Sequence, residues 1–219
     1  IGVGKSSLAG KLVQAFGARL FLERPEENPY LERYYAAGTE DLAANPYALQ
    51  TQLFFLFQRL EQMRELAQGG MFERGLVSDF LFAKDALFAR LTLGDEDHAL
   101  YSGIYRRYEP QVPAPDLVIW LRADTPTLKV RIAQRGLAME QDIAETYLQR
   151  LSDAYASHFE ADAQTPLLAI DTEAFNPLDS QADFALLLQR LAAFAGPRER
   201  LEAGAGEAGQ LPPGATLPL

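Results

Sequence analysis

The sequence predicts an α/β fold in which helices cover both faces of a parallel β-sheet, and three observations support it. Short apolar stretches of strand length alternate with longer stretches in which apolar residues recur at helical spacing. Residues 117–121 (LVIWL) are apolar throughout, which is typical of a parallel strand buried on both faces. The chain also begins with a glycine-rich Gly-Lys-Ser loop directly before a helix. In such folds, ligands bind at the carboxyl ends of the strands.

The elements can be followed in order along the chain. Leu8, Leu12, Val13 and Phe16 follow the loop at helical spacing and predict the first helix. Strands are predicted where short apolar runs are bounded by polar or turn residues, at residues 18–22, 75–79, 117–121 and 167–170. Further helices are predicted from apolar periodicity and from proline or glycine stops, at residues 46–68, 80–93, 97–112, 125–135, 144–161 and 181–194.

Composition limits the classes of protein to which the chain can belong. Its 219 residues suit one domain, predicted at residues 1–195, and the Gly/Pro/Ala/Glu-rich residues 196–219 predict a disordered tail. A net charge of −10 disfavours nonspecific binding to nucleic acid. No apolar run approaches the roughly 18 residues of a membrane span. The absence of cysteine excludes disulfides and favours a cytoplasmic protein.

The first residues of the chain carry the clearest chemical motif. They match the second half of the pattern G-x-x-x-x-G-K-[ST] and are Gly2, Val3, Gly4, Lys5, Ser6 and Ser7. In such a loop, backbone N–H groups bind phosphates, Lys5 reaches the β- and γ-phosphates, and the Ser6 hydroxyl binds Mg²⁺. This phosphate loop (residues 2–7) predicts a nucleoside triphosphate site. Because the first glycine of the pattern and the strand before it are absent, we expect the first strand of the sheet to be missing from this chain.

An acidic residue directly follows the first predicted strand. Glu23 lies at the carboxyl end of residues 18–22, where it can face the phosphate loop and accept a proton from an attacking hydroxyl. Glu26 and Glu27 are interpreted as part of a solvated acidic loop. Glu23 is therefore the candidate general base for a phosphoryl transfer.

With these residues in place, the chain resembles the deoxynucleoside kinase family, most closely its bacterial deoxyadenosine/deoxyguanosine kinase branch. The resemblance runs from Ile1 to about Leu188 and depends on several motifs in the same order as in the family. After the phosphate loop come residues 23–35 (ERPEENPYLERYY), Thr51-Gln52-Leu53 with Arg59, Ser78-Asp79 with Lys84-Asp85 and Phe88, and residues 131–136 (RIAQRG) with Glu140. The resemblance implies a P-loop kinase fold, similar to that of nucleoside and nucleoside monophosphate kinases, and a homodimer.

The resemblance also implies an acceptor site for a nucleoside. Glu23 takes the place of the general base on the sugar 5′-hydroxyl. Gln52, with Arg59 further along the same helix, takes the place of the amide that pairs with the base edge, and Gln50 is the alternative. The remaining acceptor residues that the resemblance implies are Asp85 and Phe88 at the base, and Glu140 with Tyr34 or Tyr35 at the sugar 3′-hydroxyl.

A metal site and a lid are implied in the same way. Asp79 would hold Mg²⁺ opposite Ser6. Arg131 and Arg135 lie at i and i+4 on one helix face, where they would clamp the β- and γ-phosphates and stabilise charge on the transferred group. Two arginines of the family are replaced in this chain: Phe80 stands in one position and Leu137 in the other. Arg24 or Lys84 would compensate for the first of these.

Together these features predict ATP-dependent, Mg²⁺-requiring phosphorylation of the 5′-hydroxyl of a deoxynucleoside, with a purine base favoured, in nucleotide salvage. One alternative is a nucleoside monophosphate kinase of the thymidylate kinase type, in which Arg24 would hold the acceptor phosphate. Another is a nucleotide-binding regulatory module without catalysis, which the replacements Phe80 and Leu137 favour.

Overall fold

The computed structural model describes residues 1–68, 75–109, 112–162 and 164–201. Helices and strands alternate along this part of the chain, with short 3₁₀ turns at Pro25–Glu27 and Ala138–Glu140. The helices are α1 (Lys5–Phe16), α2 (Leu31–Ala36), α3 (Ala48–Gln68), α4 (Ala83–Thr92), α5 (Asp95–Tyr108), α6 (Thr125–Arg135), α7 (Glu145–Ala161) and α8 (Gln181–Ala193). The strands are β1 (Arg19–Phe21), β2 (Leu76–Ser78), β3 (Val118–Arg122), β4 (Leu167–Asp171) and β5 (Arg198–Leu201).

All strand pairs are parallel in the described residues, as the sequence predicts, but they form two sheets. β1 pairs with β2, with Leu20 opposite Val77. β4 pairs with β3 on one side, where Ala169 lies opposite Trp120, and with β5 on the other, where it lies opposite Arg200. The carboxyl ends of β1 and β2 lead to Glu23 and Asp79, so the sheet geometry places these two acids side by side.

The end of the fold differs from the prediction. Residues 167–170 were expected to form the last strand and residues 196–219 a disordered tail, but Arg198–Leu201 form β5. Its sequence RERL has one apolar residue, so neither an apolar run nor a hydrophobic alternation signals a strand. Only Leu201 is buried, and backbone pairing with β4 supplies the rest of the contact. Residues 202–219, which complete the predicted tail, lie outside the described residues.

Two apolar clusters hold the elements together. One is built from α3, α4, α5 and α7 and includes the fully buried Leu56 and Ala89. The other lies under α1, where Leu8 and Leu12 pack with residues of β4 and α8 such as Leu168 and Leu187. Truncating a fully buried leucine costs roughly 2–5 kcal/mol, so the second cluster fixes α1, and with it the phosphate loop, firmly against β4. No helix in the described ranges is long and apolar enough to cross a membrane.

Candidate active site

A cavity of about 1880 Å³ runs along β2 and β3 and reaches the carboxyl ends of the strands. Its lining includes Lys5 and Ser6 of α1, Glu23 after β1 and Asp79 after β2, together with residues of both β2 and β3. The cavity is larger than the roughly 300–1,000 Å³ of an ordinary ligand pocket, because it also extends into the space between these two strands, which are not paired with each other.

The phosphate loop depends on glycines for its shape. Gly4, which directly precedes α1, has φ 93°, a left-handed conformation that side chains disfavour. A Cβ at this position would lie 2.5 Å from Cδ1 of Leu178, so there is also no space for one. The loop delivers Lys5 into the cavity, where burial and the neighbouring Lys84 lower its pKa to about 8. An anion bound at the N-terminus of α1 would counter both effects.

Ser6 and Asp79 form the second part of the site. The Ser6 hydroxyl donates to Oδ2 of Asp79 at 2.5 Å, and the other carboxylate oxygen, Oδ1, accepts from the backbone N–H of Glu23 at 2.8 Å. A hydroxyl and a carboxylate are the oxygen ligands that Mg²⁺ prefers, and Mg²⁺ on a nucleotide needs only one or two protein ligands. The donor set therefore fits this ion, although the described residues contain no cluster of three or more acidic or histidine ligands.

Glu23 lies within a cluster of two acidic and two basic side chains. We call it the ion cluster, and its members are Glu23, Arg59, Lys84 and Asp85. Lys84 Nζ lies 2.9 and 2.7 Å from the two carboxylate oxygens of Glu23. Arg59 donates to Glu23 through one terminal nitrogen and to Asp85 Oδ2 through Nε, at 2.6 Å for the latter. Burial alone would raise the pKa of Glu23, but Lys84 and Arg59 outweigh it and hold that pKa far below its ordinary value. Burial raises the pKa of Asp85, and Arg59 opposes this shift.

The acceptor side of the cavity carries the side-chain amide of Gln52. Gln52 of α3 lines the cavity and is 4% exposed, and its side chain makes no hydrogen bond with the described residues. Its amide therefore offers both a donor and an acceptor to a ligand bound in the cavity. Gln50, the alternative candidate, is exposed and does not line the cavity. Four further predicted residues do line it: Tyr34, Tyr35, Phe88 and Glu140.

The two predicted lid arginines of α6 lie in different places. Arg135 lines the cavity and pairs with Glu140. Arg131 does not: it donates to the hydroxyl of Thr172 at 2.7 Å and to the carbonyl of Thr172 at 3.0 Å. The structure thus brings Arg135 to the cavity, whereas Arg131 is held by the loop that follows β4, and the clamping of phosphates by both arginines stays a prediction. Leu137 is exposed.

A family profile described as deoxynucleoside kinase matches residues 1–194. The chain belongs to the deoxynucleoside kinase family. It is 31% identical over 190 residues to a deoxyguanosine kinase of Bacillus subtilis (strain 168), over 84% of this chain and 88% of that protein. A deoxyadenosine/deoxycytidine kinase of the same strain is 26% identical over 200 residues, or 88% of each chain.

Solved structures agree on the fold. A deoxyadenosine kinase from M. mycoides superposes with a TM-score of 0.75 at 24% identity, over 89% of this chain and 96% of that one. The predicted P-loop kinase fold is thus confirmed, and family membership confirms the prediction of a phosphotransferase that acts on a hydroxyl group.

Two residues of this deoxynucleoside kinase have roles that the sequence did not assign. Arg59, predicted beside Gln52 at the base, is 2% exposed and bridges Glu23 to Asp85. Lys84, named in the sequence only as a substitute for an absent arginine, binds Glu23. The other proposed substitute, Arg24, is 46% exposed and pairs with Glu27. The ion pair between Arg59 of α3 and Asp85 in the first turn of α4 joins two separate helices. It leaves no periodic pattern in the sequence, so only the folded structure reveals it.

Proposed function

We propose that this kinase transfers the γ-phosphoryl group of ATP to the 5′-hydroxyl of a deoxynucleoside, with deoxyguanosine and deoxyadenosine as the preferred acceptors. The observation that carries the proposal is the position of Glu23, which shares one cavity with Lys5 of the phosphate loop and Gln52 of α3. The purine preference is supported by the names of the two Bacillus subtilis relatives, a deoxyguanosine kinase and a deoxyadenosine/deoxycytidine kinase.

Each group in the cavity has a role in this reaction. Gln52 would hydrogen-bond the base edge and thereby orient the sugar toward Glu23. Glu23 would accept the hydrogen bond and then the proton of the 5′-hydroxyl as that oxygen bonds to the γ-phosphorus. Lys5, Arg135 and the N-terminus of α1 would bind phosphate oxygens. Ser6 and Asp79 would hold Mg²⁺, which neutralises phosphate charge when bound.

The charges at the acceptor side argue for a nucleoside and against a nucleoside monophosphate. Within the ion cluster, two carboxylates face two cations, and each cation already has a carboxylate partner. An acceptor phosphate beside Glu23 would therefore add a third acidic group to a cluster whose two cations already pair with carboxylates. Arg24, which the monophosphate kinase alternative requires, points to the exposed Glu27 instead.

The proposal is tested with a panel of acceptors. Wild-type protein is assayed with the four deoxynucleosides and their monophosphates, and we expect turnover of deoxyguanosine and deoxyadenosine above that of any monophosphate. Glu23→Gln should lower kcat by about 100-fold or more, as the loss of a general base does. Glu32→Gln, on the exposed face of α2, serves as the matched control and should leave kcat unchanged.

A preference for a monophosphate would contradict the proposal in favour of the first alternative. ATP binding without any turnover would support the regulatory module. The homodimer, the cytoplasmic location and the requirement for Mg²⁺ remain predictions, which sedimentation, fractionation and metal titration of the activity would test.

A further inference from the structure

The cation that contacts the proposed base most fully comes from outside the motifs for phosphate binding. Lys84 is in the first turn of α4, and its side chain is 14% exposed. Its ammonium is shared between both oxygens of Glu23 and lies 5.1 Å from the centroid of the Phe88 ring. A base whose two oxygens are both covered by one ammonium is poorly placed to receive a proton, so this contact must change before the reaction proceeds.

Of the two cations on Glu23, only Lys84 can leave. Arg59 is buried, is tied to Asp85 through Nε, and its guanidinium lies 4.6 Å from the ring centroid of Phe80 and 5.7 Å from that of Phe55. The guanidinium is thus fixed on several sides, and moving it would leave Asp85 buried without its partner. Lys84 carries a compact ammonium on a flexible four-carbon stem, which can redirect its donors at little cost.

The position that Lys84 would move to is defined by Lys5. Both side chains line the same cavity, in which Lys84 binds Glu23 and Lys5 begins the helix after the phosphate loop. Other charged groups around the pair are Glu23 after β1, Asp79 after β2, Arg59 of α3 and Arg135 of α6. An anionic phosphoryl group between the two ammoniums would convert their repulsion into two attractive contacts.

We infer that Lys84 is a phosphate-responsive cation that binds Glu23 in the free enzyme and turns to the γ-phosphoryl oxygens when ATP binds, which frees Glu23 to act as base. This inference depends on the proposed function. In the step it serves, the 5′-oxygen forms its bond to the γ-phosphorus, the bond from that phosphorus to the β,γ-bridging oxygen breaks, and ADP leaves. The proton of the 5′-hydroxyl passes to the Glu23 carboxylate.

The hydrogen bonds of Glu23 agree with this role. Oε1 accepts from both Arg59 and Lys84, whereas within the described residues Oε2 accepts only from Lys84. When the ammonium turns to phosphate, Oε2 loses its donor and becomes available to accept the proton of the 5′-hydroxyl. ATP binding and the availability of the base are thereby coupled through one side chain.

The test separates a contact with the γ-phosphoryl group from a mere neutralisation of Glu23. Affinities for ADP and for the non-hydrolysable analogue adenylyl imidodiphosphate are measured by calorimetry for wild type, Lys84→Met, Glu23→Gln and the double variant. A hydrogen bond to a charged group contributes about 1.5–3 kcal/mol. We therefore expect Lys84→Met to weaken binding of the triphosphate analogue by about 10-fold or more and that of ADP by less than about 2-fold, in the wild-type and in the Glu23→Gln background alike.

If the loss disappears in the Glu23→Gln background, or if ADP is weakened equally, Lys84 makes no contact with the γ-phosphoryl group and the inference is wrong. Lys84→Arg keeps the cation and should restore most of the affinity, which also excludes misfolding as the cause of the loss. Lys129→Met, which removes an exposed lysine of α6, is the matched control.

Turnover in the same series separates the two proposals. Lys84→Met should lower kcat for deoxyguanosine by about 100-fold, as removal of one charge-stabilising donor does, and should change its KM much less. If wild type phosphorylates no deoxynucleoside, the proposed function fails. If wild type is active, Glu23→Gln is inactive and Lys84→Met is as active as wild type, then only the role of Lys84 fails.

Discussion

The two ends of the cavity are built in different ways. At the acceptor end, Arg59 locks Glu23 and Asp85 together inside the protein, and the buried Gln52 lines the same cavity. At the phosphate end, Arg135 is 44% exposed and pairs with Glu140. The arrangement of Arg59, Glu23 and Asp85 is therefore preformed, whereas Arg135 must exchange its contact with Glu140 for contacts with the nucleotide. Substitutions at the acceptor end should act on folding as well as activity, and those at the phosphate end mainly on activity.

The largest effect is expected at the centre of the acceptor end. Arg59→Ala would leave Asp85 buried without its guanidinium and Glu23 with one cation fewer. Breaking a buried ion pair in this way costs about 3–5 kcal/mol, so the urea midpoint should fall and turnover should be lost. Arg24→Ala removes an exposed arginine from the neighbouring loop and should change stability by less than about 0.5 kcal/mol. Wild-type stability of Arg59→Ala would show that the acceptor end is not preformed by this network.

A smaller and different effect is expected from Arg135. Arg135 is partly exposed, and its pairing with Glu140 contributes little to stability. The free energy of unfolding of Arg135→Ala should therefore lie within about 1 kcal/mol of the wild-type value. Loss of a phosphate-binding cation should nevertheless lower kcat by about 10- to 100-fold. Steady-state kinetics and thermal unfolding on the same sample check both parts. A stability loss as large as that of Arg59→Ala would remove the contrast between the two ends.

The pH dependence of nucleotide binding should sharpen the comparison further. Burial and Lys84 lower the pKa of Lys5 to about 8, so in the free enzyme this lysine loses its proton near that pH. A bound polyphosphate favours the charged form, so ATP affinity should be constant below pH 7 and should fall by up to about 10-fold per pH unit above pH 8. Fluorescence titrations with a labelled nucleotide between pH 6.5 and 9.5 measure this. In Lys5→Arg the decline should vanish, because a guanidinium keeps its charge.

The smallest effect is expected at Thr172, which holds Arg131. Its hydroxyl accepts from Arg131 and donates to the carbonyl of Arg122 at 2.8 Å. Thr172→Val removes both bonds at constant shape, so the free energy of unfolding should fall by about 1–2 kcal/mol. Arg131 keeps its bond to the backbone carbonyl of residue 172, so ATP affinity should stay constant. A loss of ATP affinity above about 10-fold would instead show that Thr172 itself positions the nucleotide.

Much of the fold could be predicted because its signals are local. The bounds predicted for α6 agree with the structure, since Asp124 caps the helix by accepting from the backbone N–H of Thr127, Pro126 lies in its first turn, and Gly136 ends it with φ 71°. The four apolar strands were found in the same way. β5 was not, because its strand character comes from pairing with β4 rather than from its own sequence.

The candidate site likewise has residues that could be predicted from the sequence and contacts that could not. Gly4, Lys5, Ser6, Glu23 and Asp79 each follow or precede a recognisable element, so their meeting at one edge of the sheets could be predicted from topology. The pairing of Arg59 with Asp85, the contact of Lys84 with Glu23 and the capture of Arg131 by Thr172 depend on side-chain directions between distant elements. Such contacts leave no periodicity in the sequence, so residue types alone could not distinguish them.

Gly4 packs against the segment between β4 and α8, and hydrogen bonds from α1 hold this segment in place. Leu178 occupies the space that a Cβ on Gly4 would need, and Lys11 of α1 donates to the backbone carbonyls of Pro177 and Leu178 at 3.1 and 2.5 Å. The first turns of α1 and the segment between β4 and α8 are therefore held together. A change of side-chain volume at residue 178 would therefore displace the phosphate loop and change its affinity for nucleotide. Inhibitors or stabilising substitutions aimed at this segment need not contact the reacting groups.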